Sequence, residues 1–187
     1  MQTSPVTVFP QQIRWETDGT SRIPFQAYTD EALYRKELDR LFYNDHWCYV
    51  GLEAEIPNAG DFKRTVVGER SVILSRAADG ALHCVENVCA HRGMQFCRKR
   101  QGSGVKEFVC PYHQWSYTLN GDLQGVPLRR GVRQDGQVKG GMPADFNPKE
   151  HNLTKLKVAT RGGVVFASFD HEVESLEDYL GPTILQY

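Results

Sequence analysis

Short apolar runs separated by turn residues dominate the middle of this 187-residue chain. Between residue 47 and about residue 169 they predict strands over 47–51, 62–67, 71–76, 81–86, 107–110, 115–119, 155–160 and 163–169. Asp79-Gly80 and Asn120-Gly121 are typical of hairpin turns, and the proline, glycine and charged residues elsewhere argue against long helices. The pattern therefore predicts a mainly β protein with a small antiparallel architecture.

The segment before the strands predicts an irregular arm followed by a helix. Residues 1–28 contain scattered prolines and polar residues, which favour the arm. Beyond the arm, apolar residues recur at the i, i+4, i+7 and i+8 spacing of one helical face, namely Tyr34, Leu38, Leu41 and Phe42. Thr29 or Asp30 can cap this helix, and Glu31 is favourable in its first turn.

The segment after residue 128 predicts a long surface loop and, near its end, a short helix. Residues 129–151 are rich in glycine and charged residues, which predicts the loop. Ser175 to Leu180 predicts the helix, because Ser175 and Asp178 match a capping box and Gly181-Pro182 is a stop signal.

Composition and charge exclude several classes of partner. The formal net charge is −1, so nothing draws the chain strongly to nucleic acid or to membranes. No stretch approaches the roughly 18 apolar residues of a membrane span, and Met1 to Pro5 lack the basic and apolar regions of a signal peptide. The sequence therefore predicts a cytoplasmic protein.

Two short motifs carry the candidate chemistry, Cys89-Ala90-His91 and Cys110-Pro111-Tyr112-His113. Each offers one thiolate and one imidazole, which is the C-x-H and C-x-x-H pattern of a Rieske [2Fe–2S] centre. A Cys₂His₂ zinc site usually takes two cysteines from one loop and two histidines from another. Because each motif here carries one cysteine and one histidine, the arrangement favours the iron–sulfur cluster, and structural zinc is the alternative.

This ligand set predicts electron transfer. Cys89 and Cys110 should hold the inner iron, whereas His91 and His113 should hold the outer iron and reach the surface. Two neutral imidazoles in place of two thiolates raise the potential to roughly −150 to +300 mV, against about −400 mV for an all-cysteine cluster.

The remaining histidines and cysteines predict little further chemistry. Cys48, Cys84 and Cys97 are expected to be free thiols in a reducing compartment. His151 and His171 are expected to be exposed loop histidines.

Residues near the motifs leave two questions open. Trp115 and Tyr117 can pack over the cluster and keep it dry, or be ordinary strand core residues. Basic residues form two groups, which can dock an acidic partner or simply be solvated: Arg92, Arg98, Lys99 and Arg100, and Arg129, Arg130 and Arg133.

The motifs resemble those of the large (alpha) subunits of aromatic-ring-hydroxylating oxygenases. The resemblance is carried by Cys89 to Gly93 and Cys110 to Tyr117, and also by Trp47-Cys48-Tyr49-Val50-Gly51, Asn120 to Pro127, Phe169-Asp170 and Leu176 through Pro182. Gln114 departs from the glycine common in that family. Together with Gly125 to Gly131, it resembles the branch that acts on salicylate, anthranilate and related aromatic acids.

Two positions separate this chain from another class. Rieske proteins of cytochrome bc-type complexes carry an extra cysteine in each loop, and the two form a disulfide. Met94 and Tyr112 occupy those places here. The site therefore resembles the lower-potential oxygenase and ferredoxin type.

The resemblance implies a stacked-sheet Rieske domain within a longer subunit. It divides the chain into an arm and helix over 1–46, the [2Fe–2S] domain over 47–170, and over 171–187 the start of a connection to a catalytic domain that this chain lacks. Mononuclear Fe(II) is expected only in that missing domain, and nothing after His113 supplies its two-histidine, one-carboxylate triad convincingly. We expect the N-terminal portion of an oxygenase.

The resemblance also implies partners. A reductase or ferredoxin would donate electrons, and the catalytic domain of a neighbouring large subunit would accept them to hydroxylate an aromatic ring. A small beta subunit is a further candidate partner. The alternative function is a self-contained Rieske ferredoxin.

Overall fold

The computed structural model describes residues 22–186 of the chain. Most of the predicted N-terminal arm lies outside the described residues, and Phe25–Tyr28 within it form a 3₁₀ turn. The elements are α1 (Glu31–Glu37), β1 (Cys48–Leu52), β2 (Phe62–Val67), β3 (Arg70–Arg76), β4 (Leu82–Glu86), β5 (Gln101–Gly102), β6 (Phe108–Val109), β7 (Ser116–Tyr117), β8 (Leu123–Gly125), β9 (Val132–Gln134), β10 (Gln137–Lys139), β11 (Lys155–Arg161), β12 (Val164–Ser168) and α2 (Leu176–Leu185).

The strands form one large sheet, one small sheet and one separate hairpin. The large sheet has the order β1-β12-β11-β4-β3-β2-β5, and its paired strands are antiparallel. The small sheet has the order β6-β7-β8, and β9 pairs with β10 alone. The prediction of a mainly antiparallel β fold is confirmed.

Both predicted hairpin turns are present. Asp79-Gly80 connects β3 to β4, with Gly80 at φ +87° and the Ala81 N–H donating to Asp79 Oδ1 at 3.0 Å. Asn120-Gly121 connects β7 to β8, with Gly121 at φ +88°. Glycine adopts such positive φ values without the steric penalty that a Cβ brings.

The predicted loop over 129–151 is wrong in detail, because it contains the β9–β10 hairpin and a 3₁₀ turn at Pro148–His151. Asp135 and Gly136 form the hairpin tip with φ values of +54° and +77°. Two positive φ values are the requirement of a type I′ turn, for which Asp-Gly is a preferred pair. All six residues of the two strands are exposed, so no buried face marks them in the sequence.

Each predicted helix differs from expectation at its C-terminal end. Asp30 caps α1 by accepting from the Leu33 N–H at 2.8 Å, but the chain continues into a π turn at Leu38–Phe42. Ser175 caps α2, which runs past its predicted stop because Gly181 (φ +69°, ψ +167°) breaks the helix and a further turn begins at Pro182. Within residues 22–186, no helix is both long enough and apolar enough to cross a bilayer.

One apolar core joins the small sheet to the large one. It contains Phe62, Ile73 and Val85 from the large sheet and Phe108, Tyr117 and Leu123 from the small sheet. Cys89 and Cys110 belong to the same core, and each is only 2% exposed. The cysteines of both motifs are therefore placed by the packing between the two sheets.

Candidate metal centre

Both motifs lie in tight loops with the same hydrogen-bond pattern. In the first loop, residues 89–94, the Gly93 N–H donates to the Cys89 carbonyl at 2.9 Å and the Cys89 N–H donates to the Met94 carbonyl at 2.8 Å. The second loop, residues 110–115, repeats both bonds at the equivalent positions, at 2.8 and 2.9 Å. Each loop therefore starts with its cysteine and presents its histidine before the turn closes.

Each loop closes through a residue with left-handed backbone. Gly93 has φ +70° and Gln114 has φ +57°. This conformation is routine for glycine but costs other L-residues roughly 1–2 kcal/mol. Gln114, the departure noted in the sequence, therefore occupies the strained position of the second loop, which the hydrogen bonds at both ends of that loop maintain.

The structure brings the four predicted ligands together. Cys89 and Cys110 are both buried in the same core. The rings of His91 and His113 have centroids 4.6 Å apart and lie 77° from coplanar. Both histidines are half-buried, so the sulfur end of the site lies inside the protein and the imidazole end lies at its edge.

One buried polar atom of this site lacks a hydrogen-bond partner. His113 Nδ1 is buried and has no hydrogen-bond partner. Buried polar atoms are nearly always paired, so an exception indicates a missing ligand, water or ion. A metal ion bound to this nitrogen would satisfy it.

The protonation of the site also suits a metal. Burial raises the pKa of the Cys110 thiol, which therefore keeps its proton until a cation stabilises the thiolate. Burial, with smaller effects of His113 and Arg92, lowers the pKa of His91. The neutral imidazole is the form that binds metals.

The two loops supply two cysteines and two histidines, one of each from each loop. A [2Fe–2S] cluster needs only two protein ligands for each iron. The residues present therefore fit the dinuclear cluster.

Tyr117 contacts the sulfur end of the site. Its hydroxyl lies 3.2 Å from Cys89 Sγ and accepts from the Ala90 N–H at 3.1 Å. Burial and the neighbouring Cys89 raise the pKa of the phenol, so it stays protonated and can donate to a sulfur. Tyr117 is thus both a core residue and a contact of the site.

Trp115 contacts the imidazole end. It is 4% exposed, and its ring stacks on His91 with centroids 4.7 Å apart and an interplanar angle of 14°. Trp115 and Tyr117 are therefore core residues, and each also touches a predicted ligand.

Asn87 was not identified from the sequence. It is fully buried and holds the segment after the first loop: its Oδ1 accepts from the Cys97 N–H at 2.9 Å and its Nδ2 donates to the Cys97 carbonyl at 2.9 Å. Nδ2 also lies 3.2 Å from Ser71 Oγ on β3. Its position two residues before the motif cysteine Cys89 was the available signal in the sequence. Its hydrogen-bond partners, however, are defined only by the fold.

The other cysteines and histidines follow the predictions with one exception. Cys48, Cys84 and Cys97 are free thiols, as expected. His171 is exposed, and its Nε2 lies 2.9 Å from the Lys155 carbonyl. The prediction for His151 is wrong, because its half-buried ring stacks on Phe146 with centroids 4.7 Å apart.

A sequence model of the family described as Rieske [2Fe-2S] domain matches residues 46–136. The chain carries a Rieske domain. It is 70% identical to the large oxygenase component of salicylate 5-hydroxylase from Ralstonia sp. over 96% of the chain. It is 49% identical to the anthranilate 1,2-dioxygenase large subunit of Burkholderia cepacia over 90% of the chain.

Solved structures agree with this assignment. Naphthalene 1,2-dioxygenase from Rhodococcus sp. superposes with a TM-score of 0.70 at 34% identity, covering 81% of this chain and 32% of that one. A quaternary ammonium Rieske monooxygenase gives a TM-score of 0.73 at 25% identity, covering 86% of this chain and 42% of that one. The resemblance to ring-hydroxylating oxygenase large subunits is therefore confirmed.

The Rieske chain spans only part of these relatives. It covers 42% of the salicylate 5-hydroxylase component and 39% of the anthranilate dioxygenase subunit. The division of this chain at residues 47 and 170 stays a prediction.

Replacing Tyr117 with Phe should lower the reduction potential of the Rieske domain. A hydrogen bond to sulfur stabilises the more negative, reduced state, and bonds to charged groups contribute about 1.5–3 kcal/mol. Only part of that energy differs between the two redox states. We therefore expect the reduction potential to fall by roughly 30–60 mV, since about 59 mV corresponds to a tenfold change in the equilibrium constant of a one-electron reduction. Redox titration would measure it, with exposed Tyr49→Phe as the control; equal potentials would contradict the hydrogen bond's role.

Replacing Asn87 with Ala should lower the free energy of unfolding by about 2–3 kcal/mol. The change removes three side-chain hydrogen bonds and leaves the Cys97 N–H and carbonyl without partners. Urea unfolding followed by circular dichroism would test this. Asn44→Ala is the matched control, because its side-chain bond to Asp45 is exposed, and an equal loss in both variants would refute the assignment.

Proposed function

We propose that this chain is the electron-delivering portion of an oxygenase that hydroxylates an aromatic acid. In this proposal Cys89 and Cys110 bind the inner iron of a [2Fe–2S] cluster, and His91 and His113 bind the outer iron. The observation that carries it is that two thiols buried in one core lie in the same loops as two adjacent imidazoles, one of which has a buried nitrogen without a hydrogen-bond partner.

The residues of the site have separable roles. The cluster, when bound, takes up and releases one electron. Cys89 and Cys110 anchor the site in the core, where water is excluded. His91 and His113 form the half-buried edge at which partners can approach. Tyr117 holds a proton close to Cys89 Sγ.

The substrate class follows from the relatives. By their names, three of them act on salicylate, anthranilate and terephthalate, with identities of 70%, 49% and 45%. All three molecules carry a ring carboxylate. We therefore assign an aromatic acid to the whole enzyme, which would hydroxylate it at a mononuclear non-haem iron in a catalytic domain outside this chain.

The electron donor would dock on the basic group beside the first loop. Arg92, Arg98, Lys99 and Arg100 are all exposed, and they lie within or after the first loop. A cationic surface that begins in the loop carrying His91 suits an acidic ferredoxin or reductase. The catalytic domain of a neighbouring large subunit would accept the electron, and a small beta subunit completes the proposed partners.

A cytoplasmic location is part of the same proposal. All five cysteines are free thiols, which suits a reducing compartment. The self-contained ferredoxin is less well supported, because the relatives that match nearly the whole chain are oxygenase components.

The cluster assignment predicts a defined metal content. We expect two iron atoms and two acid-labile sulfides per chain, and a potential within roughly −150 to +300 mV. In His113→Cys a thiolate replaces a neutral ligand, so any cluster that forms should have a much lower potential. Metal analysis and redox titration measure both, and a colourless protein containing zinc would refute the proposal.

The docking proposal predicts a salt-dependent rate. Replacing Arg98, Lys99 and Arg100 with Glu should slow reduction by the donor about tenfold or more at low salt and weaken the salt dependence, because attraction becomes repulsion. Stopped-flow reduction at several ionic strengths would measure this. Arg130→Glu/Arg133→Glu in the β9–β10 region is the control, and unchanged kinetics in the triple variant would rule out docking at this surface.

A further inference from the structure

A set of aromatic rings leads away from His91 into a part of the chain that supplies none of the proposed ligands. Trp115 stacks on His91 at 4.7 Å. On Trp115, in turn, lie two rings from the 129–151 segment: Phe146 at 5.9 Å and His151 at 5.7 Å, both close to perpendicular to it. Phe146 and His151 stack on each other within 8° of parallel. We call these two residues the Phe146–His151 pair.

Several contacts hold the Phe146–His151 pair in place. Arg129 Nη2 donates to the Phe146 carbonyl at 3.2 Å, and its guanidinium lies 5.3 Å from the centre of the Phe146 ring. Asn147 caps the 3₁₀ turn that carries His151 by accepting from the Lys149 N–H. Directly after the turn, Asn152 Oδ1 accepts from the Leu123 N–H at 2.9 Å. The pair is therefore fixed to β8 of the small sheet and to Arg129, just before the β9–β10 hairpin.

The rings differ in how deeply they are buried. Trp115 is 4% exposed, whereas Phe146 and His151 are half-buried. The half-buried pair therefore packs against the buried Trp115, which in turn stacks on His91. A solvated loop, as expected from the composition of 129–151, needs no such contact.

We propose that Phe146 and His151 are positioning residues for the metal centre. Acting through Trp115, they fix the plane of the His91 imidazole and keep water from that side of the site. The inference rests on the proposed function, since it requires His91 to bind the outer iron.

Two measurable properties depend on this arrangement. The rotation of the His91 ring sets the overlap of its nitrogen with the iron, which determines the nitrogen hyperfine coupling in the reduced protein. Water entering beside Trp115 stabilises the reduced state more than the oxidised state, because the reduced state carries one more negative charge. Loss of the pair should therefore change the coupling and raise the reduction potential.

His151 permits a test with a conservative rescue. His151→Ala removes the ring, and His151→Phe keeps a ring that can stack. His171→Ala is the control, because it removes an exposed histidine that follows β12. Each protein is purified with its cluster and checked by circular dichroism. Nitrogen couplings are then measured by electron–nuclear double resonance, and potentials by redox titration. Phe146→Leu provides a second perturbation of the pair if His151→Ala does not fold.

The expected result separates His151→Ala from the other proteins. In His151→Ala, or in Phe146→Leu, one histidine nitrogen coupling should change, and the reduction equilibrium should shift up to about tenfold toward the reduced form, equivalent to about 59 mV. His151→Phe and His171→Ala should match the unsubstituted protein.

Two results would overturn the inference. One is a folded His151→Ala or Phe146→Leu protein with unchanged couplings and potential. The other is a His151→Phe protein altered as much as His151→Ala, because stacking would then not be the cause. An unsubstituted protein without any histidine-coupled [2Fe–2S] signal would instead refute the proposed function itself, and with it this inference.

Discussion

Burial of Cys89 and Cys110 in one shared core is the constraint on which the rest of the structure depends. The three strands of the small sheet are two or three residues long, which is too short for independent stability. They persist because Phe108 and Tyr117 pack with Phe62 of the large sheet. The same packing brings the starts of both loops together, so the contacts that join the sheets also position the two cysteines.

The site consequently has two ends with different properties. The sulfur end is enclosed by the core and by Tyr117, whereas the imidazole end reaches the edge between Trp115 and the exposed Tyr112. In the proposed function, contacts at the sulfur end tune the reduction potential of the cluster, and electrons enter and leave at the imidazole end. In the same proposal, the exposed basic side chains in and after the first loop form the surface on which the donor docks.

The sequence was informative where the signal lies in residues that are neighbours along the chain. Strands such as β3, with five consecutive buried residues, and turns such as Asp79-Gly80 are specified by neighbouring residues, and so is the spacing of the two motifs. The β9–β10 hairpin was missed because both its strands are exposed. Asn87 and His151 were missed because their partners, Cys97 and Phe146–Trp115, are defined only by the fold.

The central claim is that each loop gives one sulfur and one nitrogen ligand to a two-iron cluster. Mössbauer spectroscopy of the iron-57-labelled protein tests it most directly, because it reports the environment of each iron separately. The account predicts two unequal iron sites in equal amounts, one with sulfur ligands only and one with sulfur and nitrogen. Two equivalent all-sulfur irons, or a protein that binds zinc in place of iron, would contradict it.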